Sequence, residues 1–385
     1  MLKLKYADSK FQLINNRRGN RTYFMEVMFE WREGLNSQEW DAILSSMRGH
    51  VLQSAKWGDG RKLSDGMVDH RWVAFKDGIP VYLIRFEERR ILGIVKIAWA
   101  PKGPVSIKRD DESIVHNEFL RRLKKKGYFL CTTNPWEVDQ GHTKNSTFYT
   151  IWLDLTLGKE RLWKNLHKQF RYDVRRATKL GVIVKKSKAK GDVGLFYILC
   201  KSLSRHKGFH FSASLSLMTR LLEYSENDQV ESYVFCAWHD EKFCGGAFVV
   251  RCGENVHYMW AAVDRRFSHL SIGEAIQWEI IEWALSLQCK KYDLEGITLK
   301  QNDGVAAFKK KLGGRIVAYP GVLIYPLNKS GKLISGLLKI YLWLQPKWQE
   351  YKAWRYSKSI STYARRVFFW WKKKNTKKGG VFAER

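Results

Sequence analysis

Five cations crowd one short stretch of this 385-residue chain. Lys168, Arg171, Arg175, Arg176 and Lys179 fall at spacings of 3, 4, 1 and 3 within Leu166–Leu180. On a helix that spacing puts four or five positive charges on neighbouring faces, where they repel. A solvated surface helix would tolerate this. A phosphate-bearing substrate would offset it, with arginine giving bidentate contacts. Two later blocks also carry chemistry. Tyr292-Asp293-Leu294-Glu295-Gly296-Ile297 reads as a strand end. Gly304 to Gly314 reads as a short helix bearing Phe308-Lys309-Lys310-Lys311 and closing on Gly313-Gly314. Three lysines suit the negative end of a helix dipole.

Other chemistries find no pattern. The serines lack a GxSxG setting, no GxxxxGK[ST] loop occurs, and the ten histidines form no ligand spacing. His239 and His257 lie on strand-like segments and read as structural. The six cysteines (131, 200, 236, 244, 252 and 289) include no CxxC pair. Free buried thiols are expected, which fits a reducing compartment. No metal site is expected. No run of about 18 apolar residues occurs, so no transmembrane helix is expected and a cytoplasmic location follows.

The elements that must position these residues show a duplication. A strand at Trp72–Lys76, a turn at Asp77-Gly78, strands Val81–Phe86 and Gly93–Ala100, a helix Glu112–Lys126 and a strand Tyr128–Thr132 form one unit. Ser232–His239, a turn at Asp240-Glu241, strands Ala247–Arg251 and Val256–Ala261, a helix Ser271–Leu287 and a strand Lys291–Leu294 repeat it 163 to 164 residues later. A repeat this long means a duplicated domain. Antiparallel strands, a helix and a parallel return predict an α/β (α+β) fold with a mixed sheet in each half. Asn36 with Glu39 makes a capping box before a helix Ser37–Met47. Further helices are expected over Glu160–Lys179, Asp192–Arg205 and Ser214–Ser225. The boundaries read 1–155, 156–327 and 328–385, with the linker near Leu155–Lys159.

Charge narrows the partners. Lys and Arg number 68 against 38 Asp and Glu, a net +30. That balance implies a polyanion: nucleic acid, an acidic membrane face or a phosphorylated substrate. Residues 328–385 hold 15 Lys and Arg against Glu350 and Glu384 alone. Pro346 should divide this tail into two helices. In the second, Tyr351, Trp354, Tyr363, Val367 and Trp370 alternate with Lys352, Arg355, Lys358, Arg365 and Arg366. Such a basic amphipathic helix suits an anionic membrane surface, here through residues 330–371, or packing on the body or a partner subunit. The last stretch, 372–385, is expected to be disordered.

Six blocks, in order, resemble the FemABX peptidoglycan interpeptide-bridge transferases, the lipid II aminoacyltransferases. His50-Val51-Leu52-Gln53-Ser54-Ala55-Lys56-Trp57-Gly58 is similar to that family's "LQS..WG", and Pro101-Lys102-Gly103-Pro104 to its "PRGP". Arg171–Gly181, then Arg205, Gly208 and Phe209, then Tyr292–Gly296 and Phe308–Gly313 resemble its later blocks. The resemblance implies two tandem GNAT-like domains followed here by the basic helical tail. It implies transfer of an amino acid from aminoacyl-tRNA to a stem-peptide amine of a UDP- or lipid-linked muramyl-peptide precursor. No cofactor is then expected. By matching position, Lys309, next to Phe308, is the cation that steadies the oxyanion. Arg61, with Lys62 as an alternative, and Arg171 grip the precursor's diphosphate. Arg175 and Arg205 join the substrate-binding set, and Tyr258 contacts the stem peptide. Asp293 takes a proton or orients its loop. The alternative keeps the fold and changes the donor to acyl-CoA or an acyl-carrier protein, in polysaccharide or lipid assembly. GNAT enzymes hold the CoA pyrophosphate at [RQ]xxGx[GA]. Leu270-Ser271-Ile272-Gly273-Glu274-Ala275 stands at that place with Leu for Arg or Gln and an added carboxylate. A non-enzymatic RNA-binding or membrane scaffold is a third reading, without an RNP, KH or helix-turn-helix signature to support it.

Overall fold

The computed structural model describes residues 11–15, 21–25 and 29–340, apart from 92, 108–110, 137–147, 210, 212, 224–228 and 300–302. A hairpin of β1 (Phe11–Asn15) and β2 (Arg21–Met25) precedes β3 (Glu30–Glu33). Helix α1 (Ser37–Ser46) starts where expected: the Asn36 side chain accepts from the Glu39 N–H at 2.9 Å. Helix α2 (Ala55–Asp65) follows, capped by Ser54.

The duplication is real in three dimensions. In the first half β4 (Val68–Lys76), β5 (Ile79–Ile91) and β6 (Val95–Lys102) run antiparallel. Helix α3 (Glu112–Lys125) then returns β8 (Leu130–Pro135) parallel to β6, and the two-residue β7 (Val105–Ser106) pairs with β5. In the second half β11 (Val230–His239), β12 (Lys242–Cys252) and β13 (Asn255–Val263) run antiparallel. Helix α8 (Ile272–Ser286) returns β14 (Lys291–Asp293) parallel to β13. Both hairpins turn at the expected dipeptides. Asp77-Gly78 and Asp240-Glu241 all have positive φ, the type I′ geometry that matches strand twist.

Each sheet borrows a strand across the boundary. Strand β9 (Phe148–Asp154) leaves the first half and inserts between β14 and β15 (Arg315–Tyr319), giving the order β10-β11-β12-β13-β14-β9-β15, where β10 is Ile183–Ser187. Strand β16 (Leu323–Pro326) returns to the first sheet, order β16-β8-β6-β5-β4-β3. The boundary expected at 155/156 is therefore corrected. The sheets change between Pro135 and Phe148, and Leu323–Pro326 belong to the first sheet. The expected linker is a 3-10 turn (Leu155–Leu157) running straight into α4 (Gly158–Asn165).

The long helix expected over Glu160–Lys179 is two. Leu166 is extended (ψ 142°), and His167 caps α5 (Lys168–Lys179) by accepting from the Gln169 N–H. The break lets Leu162 of α4 and Phe170, Val174 and Ala177 of α5 all reach the core. Helix α6 (Lys190–Lys207) packs on β11, β12 and β13 of the second sheet, whereas α7 (Leu215–Leu222) packs on α2 of the first half, so closely that a Cβ on Gly60 would meet Leu217 Cδ1 at 2.8 Å. One core cluster accordingly crosses both halves, with Trp40, Leu44 and Val73 against Phe196, Met218 and Phe248. All six cysteines are buried and free. No helix among the described residues is long and apolar enough to cross a membrane. Residues 329–340 are helical; the Pro346 break, the second tail helix and the disordered end lie outside the described residues.

Asp41, buried in α1, accepts from the Ala55 N–H at 2.7 Å. Burial pushes its carboxyl up to about 7, against the pull of that bond and of Arg71. An unfolded Asp releases its proton near pH 3.9. Stability therefore falls as pH rises between the two values, and the penalty is constant above the upper one. Asp41→Asn keeps an acceptor without the charge. It should raise Tm at about pH 8 and leave it nearly unchanged at about pH 4; equal shifts at both would refute a buried charge penalty.

Candidate active site

Two carboxylates at the end of β14 organise the junction of the halves. Asp293 has no solvent exposure and accepts five hydrogen bonds. Oδ2 takes Trp136 Nε1 (2.8 Å), Trp152 Nε1 (2.9 Å) and the Tyr319 hydroxyl (2.8 Å); Oδ1 takes the Thr150 hydroxyl and the Glu295 N–H (2.8 Å). A carboxylate offers about four lone-pair directions, so Asp293 is saturated. Of the two roles open to it, proton acceptor and loop orienter, this geometry suits the second. Its bond to the Glu295 N–H holds Glu295 at φ +58°, a left-handed conformation uncommon for a non-glycine residue.

Glu295 Oε1 then receives two imidazoles, His50 Nε2 at 2.9 Å and His257 Nδ1 at 3.0 Å. The rings are 4.2 Å apart. His50 Nδ1 accepts from the Leu52 N–H at 3.0 Å, so in the neutral ring the proton sits on Nε2 and points at Glu295. Burial raises the Glu295 carboxyl, but His50, His257 and Lys102 outweigh it and hold it well below the usual carboxylate range. The His257 Nε2 atom is buried without a partner. The ligand atoms of His50, His257, Asp293 and Glu295 lie within 4.8 Å of one another. An ion there would have to displace the His50 proton and take an oxygen from a saturated Asp293. The donors fit a hydrogen-bonded strut better than a metal.

Lys309 joins this group from α9 (Gly304–Lys310), which Asp303 caps through the Val305 and Ala306 N–H groups. It is 6 % exposed. Its Nζ donates to the carbonyls of Glu295 (3.2 Å) and Gly296 (2.9 Å) and lies 5.8 Å from the Tyr258 ring centre. Burial lowers its pKa, while Glu295, Asp293 and Asp303 oppose the shift. With two of its three protons used, the ammonium retains one to offer. The structure thus brings Lys309, Tyr258 and Asp293 together. Phe308 points elsewhere, its ring 5.7 Å from Phe170 and against Gly273.

The expected cations sit in other company. Arg61, on α2, is paired with Asp65 and, at 3.4 Å, with Glu87, so its charge is already matched within the first half. Lys62 beside it is exposed. Arg171 donates to the Lys164 (2.8 Å) and Leu166 (2.5 Å) carbonyls, closing the end of α4. Arg175 is exposed and stacks over Trp163 at 5.4 Å, and Arg205 is exposed on α6. His50, His257 and Glu295 were missed as a group because 207 residues separate the two histidines and no local spacing joins them.

A family model described as "Acetyltransferase (GNAT) domain" matches residues 164–310. Aminoacyltransferase FemA of Staphylococcus aureus (strain NCTC 8325 / PS 47) is 33% identical over 89 residues, 22% of this chain and 21% of FemA. The chain therefore spans about a fifth of the length of the curated relatives it matches. The solved structure of FemX superposes with a TM-score of 0.68 at 16% identity, covering 78% of this chain and 98% of FemX. L-PGS from Bacillus licheniformis gives a TM-score of 0.50 at 13% identity, over 78% of this chain and 96% of that one. The chain has the tandem GNAT-like fold seen in FemX.

The N-terminus of α8, where the sequence places Leu270–Ala275, is closely packed. A Cβ on Gly273, in the first turn of α8, would meet the Phe308 ring at 3.3 Å. Asp173 of α5 lies 3.5 Å from the Ser271 hydroxyl at the same helix end. Glu274 is also there, its carboxyl raised by burial and by Asp173. Carboxylates already face the helix N-terminus that would otherwise attract an anion.

The strut has a pH signature. Burial and the His257 ring push His50 down to about 4, against the pull of Glu295. An unfolded histidine binds its proton near pH 6.5. The stability tied to neutral His50 is complete above about 6.5 and is lost as pH falls toward about 4. His50→Gln can still donate to Glu295 without titrating. It should flatten the Tm–pH curve in that window; an unchanged slope would remove His50 from the account.

Proposed function

We propose that this FemABX-like chain is an aminoacyltransferase that moves an amino acid from aminoacyl-tRNA to a stem-peptide amine of a peptidoglycan precursor. The observation that carries the reading is Lys309, a buried ammonium with one proton to spare beside Tyr258, next to a CoA-type cradle filled by Phe308 and flanked by Asp173 and Glu274. An aminoacyl ester needs no pyrophosphate anchor of that kind. It is also already activated, so positioning and charge stabilisation suffice.

In the reaction a neutral amine attacks the ester carbonyl and a C–N bond forms. The free Lys309 proton faces the oxygen on which negative charge develops. Collapse breaks the C–O bond, and the proton released by the amine goes to the departing ribose oxygen. Neither step requires a covalent enzyme intermediate or a cofactor. The net charge of +30 supports a polyanionic donor.

The test is transfer of labelled amino acid from charged total tRNA to a muramyl-pentapeptide nucleotide or lipid II, with and without RNase. RNase-sensitive labelling is expected, and Lys309→Met should lower kcat by roughly 10²–10³-fold in a variant that still unfolds cooperatively, its Tm lowered only by the loss of two hydrogen bonds. RNase-insensitive labelling from acyl-CoA would favour the alternative donor.

The tail bears on where this happens. In helix 329–340 Leu333, Leu337 and Ile340 are 71, 61 and 55% exposed and fall on one face, with Lys332 and Lys339 nearby. The proposal extends to peripheral contact of this segment with an anionic membrane surface, where a lipid-linked precursor resides. Deleting 330–385 should release the protein from anionic vesicles and spare transfer to the soluble nucleotide precursor. Unchanged vesicle binding would refute this role.

A further inference from the structure

Lys102 enters the account above only through its pull on the Glu295 carboxyl, yet the chain builds a place for it. Its backbone is left-handed at φ +57°. Asn134 holds it there, its Oδ1 accepting from the Lys102 N–H at 2.7 Å. The preceding residue is clamped as well: fully buried Gln53 donates to the Pro101 carbonyl at 2.7 Å. The Gln53 amide fills the room that Gly103 leaves, since a Cβ there would meet it at 2.6 Å. The Leu52-Gln53-Ser54 and Pro101–Pro104 blocks are thus two parts of one device, and its product is the position of one ammonium.

That ammonium lies 3.7 Å over the Tyr319 ring. Among the described residues no carboxylate comes within ion-pair distance of it. It lines a cavity of about 220 Å³ between the halves, together with Asn134, Phe148, Tyr149, Glu295 and Gly296. The Gly296 carbonyl is one of the two that hold Lys309, so the cavity adjoins the proposed reaction centre.

We infer that this cavity is a carboxylate subsite, in which Lys102 Nζ and the Asn134 amide NH₂ receive a free carboxylate of the peptide acceptor. A carboxylate suits it better than a phosphate. The cavity offers one cation and one amide NH₂, a donor pair that matches the two oxygens of a carboxylate, and ionised Glu295 in its wall repels a dianion about twice as strongly as a monoanion. Phe148, Tyr149 and Ile297 provide apolar walls for a small side chain next to the bound group. The assignment rests on the transfer reading only for which substrate carries the carboxylate. In an ester or thioester donor the acyl carboxyl is already bonded, so the free one belongs to the acceptor.

The experiment is calorimetric titration of the full chain, without donor, with N-acetyl-lysyl-alanyl-alanine as the free acid and as its C-terminal amide. The acid should bind about tenfold tighter or more, the range of a charge-assisted hydrogen bond. Lys102→Met should erase that preference and leave amide binding unchanged, and Lys102→Arg should keep much of it. Equal binding of acid and amide, binding of neither, or a preference that survives Lys102→Met overturns the subsite. Displacement of the acid by equimolar inorganic phosphate, lost in Lys102→Met, makes the site a phosphate site and also overturns it. The readout does not involve transfer. A failed transfer assay with an intact acid preference removes the aminoacyl reading alone, and the converse removes the subsite alone.

Discussion

Two negative charges held inside the protein at the end of one three-residue strand govern the rest of the structure. A buried carboxylate costs several kcal/mol unless its lone pairs are filled. Asp293 is filled by side chains from β9, β15 and the end of the first half, and Glu295 by one histidine from each half. Charge-assisted bonds contribute about 1.5–3 kcal/mol each. Five of them offset the burial of Asp293, whereas fewer than two would not. The strand exchange follows from this need. Without β9 between β14 and β15, Thr150 and Trp152 would not reach Asp293.

The same carboxylates set the state of Lys309 without touching it. Burial disfavours the ammonium, and the Glu295 and Asp293 charges favour it. Among the described residues no carboxylate pairs with it directly; carbonyl oxygens do. A direct ion pair would spend the cation's charge on the enzyme. Two neutral acceptors orient the group and leave its charge uncancelled, as the proposed transfer requires. Glu295 links the strut to the site, since its side chain ties the halves together and its carbonyl orients the lysine.

Much of the fold was legible because its signals are local. The β-hairpin turns, the Asn36 cap and the strand–helix–strand order lie within short windows, and the 163-residue offset made the duplication visible. The exchange of β9 and β16 was not, since a strand's own residues do not say which sheet accepts it. The helix break at Leu166–His167 was hidden by apolar spacing that continues across it. At the candidate site, Lys309 and Asp293 were singled out from local blocks and Tyr258 from its strand, and the three lie close together in the structure. His50 and His257 were not, because burial and the common partner Glu295, rather than spacing, unite them. Arg61 is a residue whose neighbours the sequence did not reveal. Its position suggested a phosphate ligand, but Glu87 and Asp65, invisible as neighbours in the sequence, already balance it.

The arrangement also bears on how a GNAT scaffold can change donors. In this fold the positive end of the helix after the third strand is a ready anion site. Here it is closed from two directions, by the Phe308 ring over Gly273 and by the Asp173 and Glu274 carboxylates. Phe308 and Lys309 are consecutive on one short helix, so the ring packed on Gly273 and the ammonium of the proposed transfer site are placed by a single element. Because adjacent side chains on a helix point about 100° apart, one turn of α9 can fill a cradle on one side and present an ammonium on the other. On the proposed reading, the packing at Gly273 and the placement of the cation are then coupled by helix geometry, and a change that moved α9 away from Gly273 would displace Lys309 as well.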